Sequence, residues 1–108
     1  MAVLFNKAEI LESLEGDEDI LAMILEAYLK DAQRILEDLK SSLDAWDVKT
    51  SREHCHTLSG ASATVGAETI MELADSIGTA VKSEDSNGAK EAYTNALAEY
   101  ELFVKKVT

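Results

Sequence analysis

The chain has only two histidines, His54 and His56, and both fall in the run HCHTLSGASATVGA at residues 54–67, where nearly everything that follows them is small. On a helix turning about 100° per residue the two rings stand roughly 200° apart, so they cannot share a face or ligate one metal, and the i, i+4 spacing of helical metal sites is absent. His56 has Arg52 and Glu53 one turn before it, Ser59 and Gly60 one turn after it, and Ala63 two turns after it. Its C-terminal side is therefore bare, whereas His54 has no comparable clearing. Imidazole in water titrates at about 6.5, so near neutral pH one ring nitrogen carries a lone pair able to attack phosphorus. Small neighbours would admit a phosphoryl group and the flank of a donor protein. The plainer reading is a solvated surface histidine followed by residues small enough for close helix packing, and the residues alone leave both open.

Other chemistries find little support. The single cysteine, Cys55, offers neither a disulfide framework nor zinc-ligand spacing and reads as a small buried apolar residue of a reducing compartment. There is no P-loop, glycine-rich nucleotide loop or kinase constellation, so ATP hydrolysis and autonomous kinase activity are not expected. Ten Lys+Arg against 21 Asp+Glu give a formal net charge of −11, which repels nucleic acid and anionic membranes. The opening MAVLFNK is too short and too soon acidic for a signal peptide, and no apolar run approaches the ~20 residues of a membrane span, so the expected setting is cytoplasmic.

At 108 residues the chain is read as one domain, 1–108, and a hydrophobic fraction of 46%, no proline and five glycines suit an all-α fold. Asn6 and Glu9 form a capping-box-like start to a short first helix that should stop at Gly16. Asp17 caps a second, whose apolar steps of three and four run from Leu21 through Tyr28, Leu36 and Leu43 to Trp46, predicting one helix over about 17–46. Asp47 caps a third, with a thin core stripe of Val48, Ser51, Cys55, Leu58, Ser62 and Val65, ending at Gly66. A fourth, about 67–83, carries Ile70, Met71, Ala74, Ile77 and Val81; its interior Gly78 costs roughly 1 kcal/mol against Ala. SEDSNG is the turn before a fifth helix, about 87–106, with Ala89, Tyr93, Ala96, Leu97, Tyr100, Phe103 and Val104 on one side. These elements predict an antiparallel up-down-up-down four-helix bundle with the short N-terminal helix covering one end. The stripe through Cys55 and Leu58 leaves His56 on the outward flank of the third helix.

The run His56, Thr57, Leu58, Ser59, Gly60, Ala61, Ser62, then Val65-Gly66-Ala67, resembles the core motif of the histidine-containing phosphotransfer domain, H-x-L-K-G-[SA]-[SA] followed by a Leu- or Val-Gly pair. FNKAEILESLEGDEDIL and AYLKDAQRILEDLKSSLDAWD resemble that family's first two helices, so the likeness covers nearly the whole chain. The resemblance implies a helical bundle, expected as a monomer, that carries a phosphoryl group between receiver-domain aspartates of response regulators or takes it from a hybrid sensor histidine kinase. It puts the phosphoacceptor on His56, the clearing glycine on Gly60 and the helix-ending glycine on Gly66. No cofactor is implied for this chain, the Mg²⁺ belonging to the receiver. It also implies a docking surface on the first helix and the start of the second, where Ile20, Met23 and Ala27 are candidates; their other reading is core packing. Two positions depart from the pattern. Ser59 stands where the family often has a phosphoryl-holding lysine, and Gly78 where it often has a Glu or Gln that hydrogen-bonds the imidazole. Arg52 could supply part of the missing positive charge. The loss of that lysine favours a rival reading, a bundle that binds a receiver or kinase without carrying phosphate; His56 with Gly60 speaks against it.

Overall fold

The computed structural model describes residues 7–108, so the expected Asn6 cap lies outside the described residues. Five helices follow one another: α1 (Lys7–Ser13), α2 (Glu18–Asp44), α3 (Val48–Thr64), α4 (Glu68–Lys82) and α5 (Ser86–Val107). The last four pack in a ring in which α2 meets α3, α3 meets α4, α4 meets α5 and α5 closes back onto α2, with no close backbone approach across either diagonal. That is the antiparallel up-down-up-down bundle expected of amphipathic helices joined by three-residue links.

The links share one construction. Two residues past the end of α2, α3 and α4 stands a residue with left-handed backbone, Trp46 (φ 51°), Gly66 (φ 73°) or Glu84 (φ 56°), followed by the N-cap residue of the next helix. The amide of that following residue donates to a carbonyl of the closing turn at 2.8 Å in all three: Asp47 to Ser42, Ala67 to Ser62 and Asp85 to Ala80. Asp17, Asp47 and Asp85 then cap the next helices by accepting from the amides of Ile20, Thr50 and Gly88. The apolar stripe carried α2 through Trp46, but the helix stops at Asp44, because the left-handed turn takes Trp46 off the α2 face and lays it half-buried against the core. Likewise α1 ends at Ser13, and Gly16 (φ 79°) completes the turn that leads to Asp17.

The core fills the ring with Leu36, Leu39, Leu58, Ile70, Ile77, Val81 and Phe103, all essentially inaccessible. Tyr28 meets Phe103 edge to face, ring centroids 5.5 Å apart at 82°. Two buried hydroxyl pairs fix α3 against α2: Ser51 donates to Ser42, which donates to the Leu39 carbonyl, and a helix length away the Tyr28 and Ser62 hydroxyls lie 2.8 Å apart. His56 stands between these two anchors, on a helix held at both ends. Burial pushes the Tyr28 phenol up to about 12, so it stays protonated at any physiological pH. Tyr28→Phe leaves the buried Ser62 hydroxyl without this partner and should lower stability by about 1 kcal/mol, read as a lower urea midpoint at unchanged m-value. From α5, Tyr93 and Tyr100 donate to the carbonyls of Leu36 and Leu29, closing the ring on its other side.

Candidate functional site

The buried face of α3 is Ser51, Cys55, Leu58 and Ser62. One residue past Cys55, His56 is turned out of the bundle and exposed. It lines two shallow surface grooves. One, about 350 Å³, lies between α3 and α4, with Cys55 and Ala74 beneath and Arg52, Asp75, Gly78, Thr79 and Lys82 around it. The other runs back along α3 past Arg52 and Glu53 to Val48 and Lys49.

Of the small residues beyond His56, Gly60 and Ala63 are exposed and Ser59 is half-buried. A Cβ built on Gly60 would meet no atom within 4 Å beyond its own helix. Close helix packing therefore does not account for Gly60, which leaves the space beside the ring open. Gly78 differs. Its Cβ would sit 3.5 Å from the Cys55 Cβ, an ordinary contact that alanine could make, so no steric demand explains the glycine either. Its effect is to leave the groove beside His56 without a side chain at that point of α4.

The other potential nucleophile is out of play. Burial, with the charge of Asp75 adding, pushes the Cys55 thiol up to about 11, so almost no thiolate forms near neutral pH. His54 is half-buried on the other side of α3. It lies near the Asp47 cap, whose carboxyl is held below the usual range by the Thr50 hydrogen bonds, with smaller contributions from Lys49 and His54. Among the described residues no group of three His, Cys, Asp or Glu side chains could hold a metal ion.

Ile20, Met23 and Ala27 are not core residues. Ile20 is 44% and Met23 71% exposed, and Ala27 is exposed as well. The Tyr28–Ser62 bond holds this part of α2 level with the C-terminal half of α3. At the same end, Glu9, Ile10 and Ser13 of α1 share a cleft with Ala63, Thr64, Gly66, Glu68 and Met71, so α1 covers the corner where α3 passes into α4. The sequence reading missed Asp75, Thr79 and Lys82. They lie with Gly78 at i, i+3, i+4 and i+7 of α4, one helical flank, and the short 65–67 link that sets α4 antiparallel to α3 could have pointed to it.

The all-helical bundle thus presents an exposed imidazole on an outward helix flank, with open space at Gly60 on one side and Arg52 and Lys82 bordering the groove on the other. The profile of the Hpt domain matches residues 23–105, which include His56, Gly60 and Gly66. The chain belongs to the Hpt domain family. It is 24% identical over 101 residues, 94% of its own length, to the phosphorelay intermediate protein rdeA of Dictyostelium discoideum. Over 58 residues, 52% of its length, it is 34% identical to histidine-containing phosphotransfer protein 1 of Arabidopsis thaliana. It spans about two fifths of the length of these relatives, 40% and 38% respectively. Among solved structures, histidine-containing phosphotransfer protein B of Pseudomonas aeruginosa superposes with a TM-score of 0.83 at 19% identity, covering 95% of this chain and 93% of that one. The maize histidine-containing phosphotransfer protein ZmHP2 gives 0.83 at 23% identity, covering 94% and 75%. At these identities the structural likeness speaks for the fold, which it shares along almost the entire chain.

Proposed function

We propose that this chain is a phosphorelay carrier that accepts and donates a phosphoryl group on His56. The observation that carries the reading is His56 itself: an exposed imidazole on the outward flank of a pinned helix, with open space at Gly60, inside the segment matched to the Hpt family. The donor is a receiver domain bearing a phospho-aspartate, or a hybrid sensor histidine kinase, and the Mg²⁺ sits with the receiver's acidic pocket. The lone pair of one ring nitrogen attacks phosphorus in line, the N–P bond forms, and the P–O bond to the aspartyl carboxylate breaks with its electron pair leaving on the carboxylate. The other ring nitrogen keeps its proton or releases it to water. Transfer to the next aspartate runs the same path backwards. This chain supplies a positioned nucleophile and a surface, and nucleotide chemistry belongs to the partner.

Ile20, Met23 and Ala27, with the cleft under α1, form the docking side. Their exposure supports the assignment, since apolar side chains left in water on one helix edge gain when a partner covers them. The deciding experiment is incubation of the full chain with phosphorylated receivers of candidate partners. Intact mass should show a gain of one phosphoryl group, acid-labile and base-stable, mapping to His56. Failure to gain it from any receiver or kinase would leave binding without phosphate as the better reading.

A further inference from the structure

The seam where α5 closes the ring onto α2 is the loosest of the four. Two tyrosines span it, Tyr93 and Tyr100, whose hydroxyls reach from α5 to the carbonyls of Leu36 and Leu29 at 2.9 and 2.7 Å. Their rings lie where a tighter helix pair would bring backbone to backbone, and the seam is left as two grooves end to end. One, about 350 Å³, lies between Ala22, Leu25 and Leu29 of α2 and the end of α5. The other, about 540 Å³, has Gln33 and Leu36 on one wall and Tyr93, Leu97, Tyr100 and Val104 on the other. The α2 positions follow one another at steps of three and four, and so do those of α5, so two apolar stripes run side by side. From Glu18 to Glu37 the trough is about 28 Å long, the length of a helix of roughly 19 residues. Its apolar walls are only half covered: Leu97 is 37% exposed, and Leu25, Leu29 and Val104 are half-buried.

Charge says what fits there. The α2 rim carries Glu18, Glu26 and Glu37, and the α5 rim sets Glu101 against Lys105 and Lys106. A second copy of the chain would bring a formal charge of −11 to a face already rimmed by carboxylates. We infer that the α2–α5 seam is a second docking surface, which seats an amphipathic helix of a partner protein, apolar along one stripe and bearing Lys or Arg on the flank that meets Glu26 and Glu37. The seam lies across the ring from the α3–α4 groove that holds His56. Around α2 itself, Leu25 stands about 140–160° from Ile20 and Ala27. A helix in the seam therefore leaves His56 and the Ile20–Met23 edge open, so one protein can hold the chain while another meets its histidine.

The probe is a peptide of about 19 residues built from Leu and Lys, with Leu at steps of three and four; its control has the same composition in an order without helical period. Each is titrated into the full isotope-labelled chain, with amide shifts locating the site and fluorescence anisotropy giving Kd. The patterned peptide should shift amides along residues 22–36 and 93–107 and bind about tenfold or more tighter than the control. Leu97→Gln should weaken it about fivefold or more. Glu37→Gln, an exposed change that leaves the core untouched, should weaken it about twofold at low salt and less at high salt. Glu72→Gln, the same charge change on α4, should do nothing. Phosphoryl transfer to His56 from a receiver should run at the same rate with the peptide bound. Equal affinity for the two peptides, or shifts centred on Ile20 and Met23 or on the α3–α4 groove, overturns the assignment. A wild type that sediments as a dimer, dissociated by Leu97→Gln, overturns it in favour of a second copy. Transfer blocked by the bound peptide overturns the separation from His56. Binding is read without phosphate, so a chain that takes no label on His56 fails as a carrier and leaves the seam to be judged by the shifts.

Discussion

His56→Gln is expected to take no phosphoryl group from a phosphorylated receiver, with transfer falling to background, while the melting curve stays within about 0.5 kcal/mol of wild type. Glutamine keeps a polar side chain of similar reach but has no nitrogen lone pair basic enough to attack phosphorus. Stability holds because the ring contributes nothing to the core: the buried face of α3 is Ser51, Cys55, Leu58 and Ser62, and both hydroxyl anchors remain. His54→Gln is the matched control and should transfer normally. The label in wild type should be lost in acid and survive base, as a phosphoramidate does. Label persisting in His56→Gln but vanishing in His54→Gln would put the nucleophile on the half-buried side of α3 and sink the assignment.

The bundle was legible in the sequence because its helices are amphipathic over long stretches and their starts carry chemistry of their own. Asp17 and Asp47 read as caps, and both accept from the amide three residues on. What escaped were features set by the backbone between helices and by neighbours distant in sequence. Trp46 continues the α2 period, and only the left-handed turn takes it out of the helix. Asp85 caps α5 but lies in SEDSNG, which reads as undifferentiated turn. Leu97 fits the α5 stripe, yet the stripe is wider than the core, and Leu97 stands 37% exposed on the α2–α5 groove while Ala89, Ala96 and Phe103 face inward.

At the candidate site, the exposure of His56 and the open space at Gly60 were readable from neighbours on one helix, where spacing alone decides proximity. The flank of Asp75, Gly78, Thr79 and Lys82 was not, because it reaches His56 only through the packing of α4 on α3. Ile20 and Met23 posed a different difficulty. Period cannot tell an apolar residue at the edge of a core stripe from one just outside it. The ring of four helices leaves that edge of α2 in water.

Gly60→Gln should separate the clearing from the fold. Gly60 is exposed in the middle of α3 and a Cβ there meets nothing, so the new side chain is accommodated without strain. Replacing an interior helical glycine by glutamine should raise stability by about 0.5 kcal/mol or more, visible as a higher urea midpoint. The glutamine, leaning toward the N-terminus of α3, would cover the turn that carries His56 and stand between the ring and an approaching receiver. Transfer from the phosphorylated receiver should fall about tenfold or more, a cost of at least ~1.4 kcal/mol in the transition state. Gly60→Ala, adding a single methyl, should gain stability and lose much less transfer. Labelling by phosphoramidate, which needs far less room than a protein, should survive in Gly60→Gln better than transfer from the receiver does. That difference would show that the open space serves the approach of a folded partner. Equal losses with both donors would mean that glutamine covers the ring nitrogen itself. Receiver transfer at the wild-type rate would mean that the clearing at Gly60 has no part in the reaction.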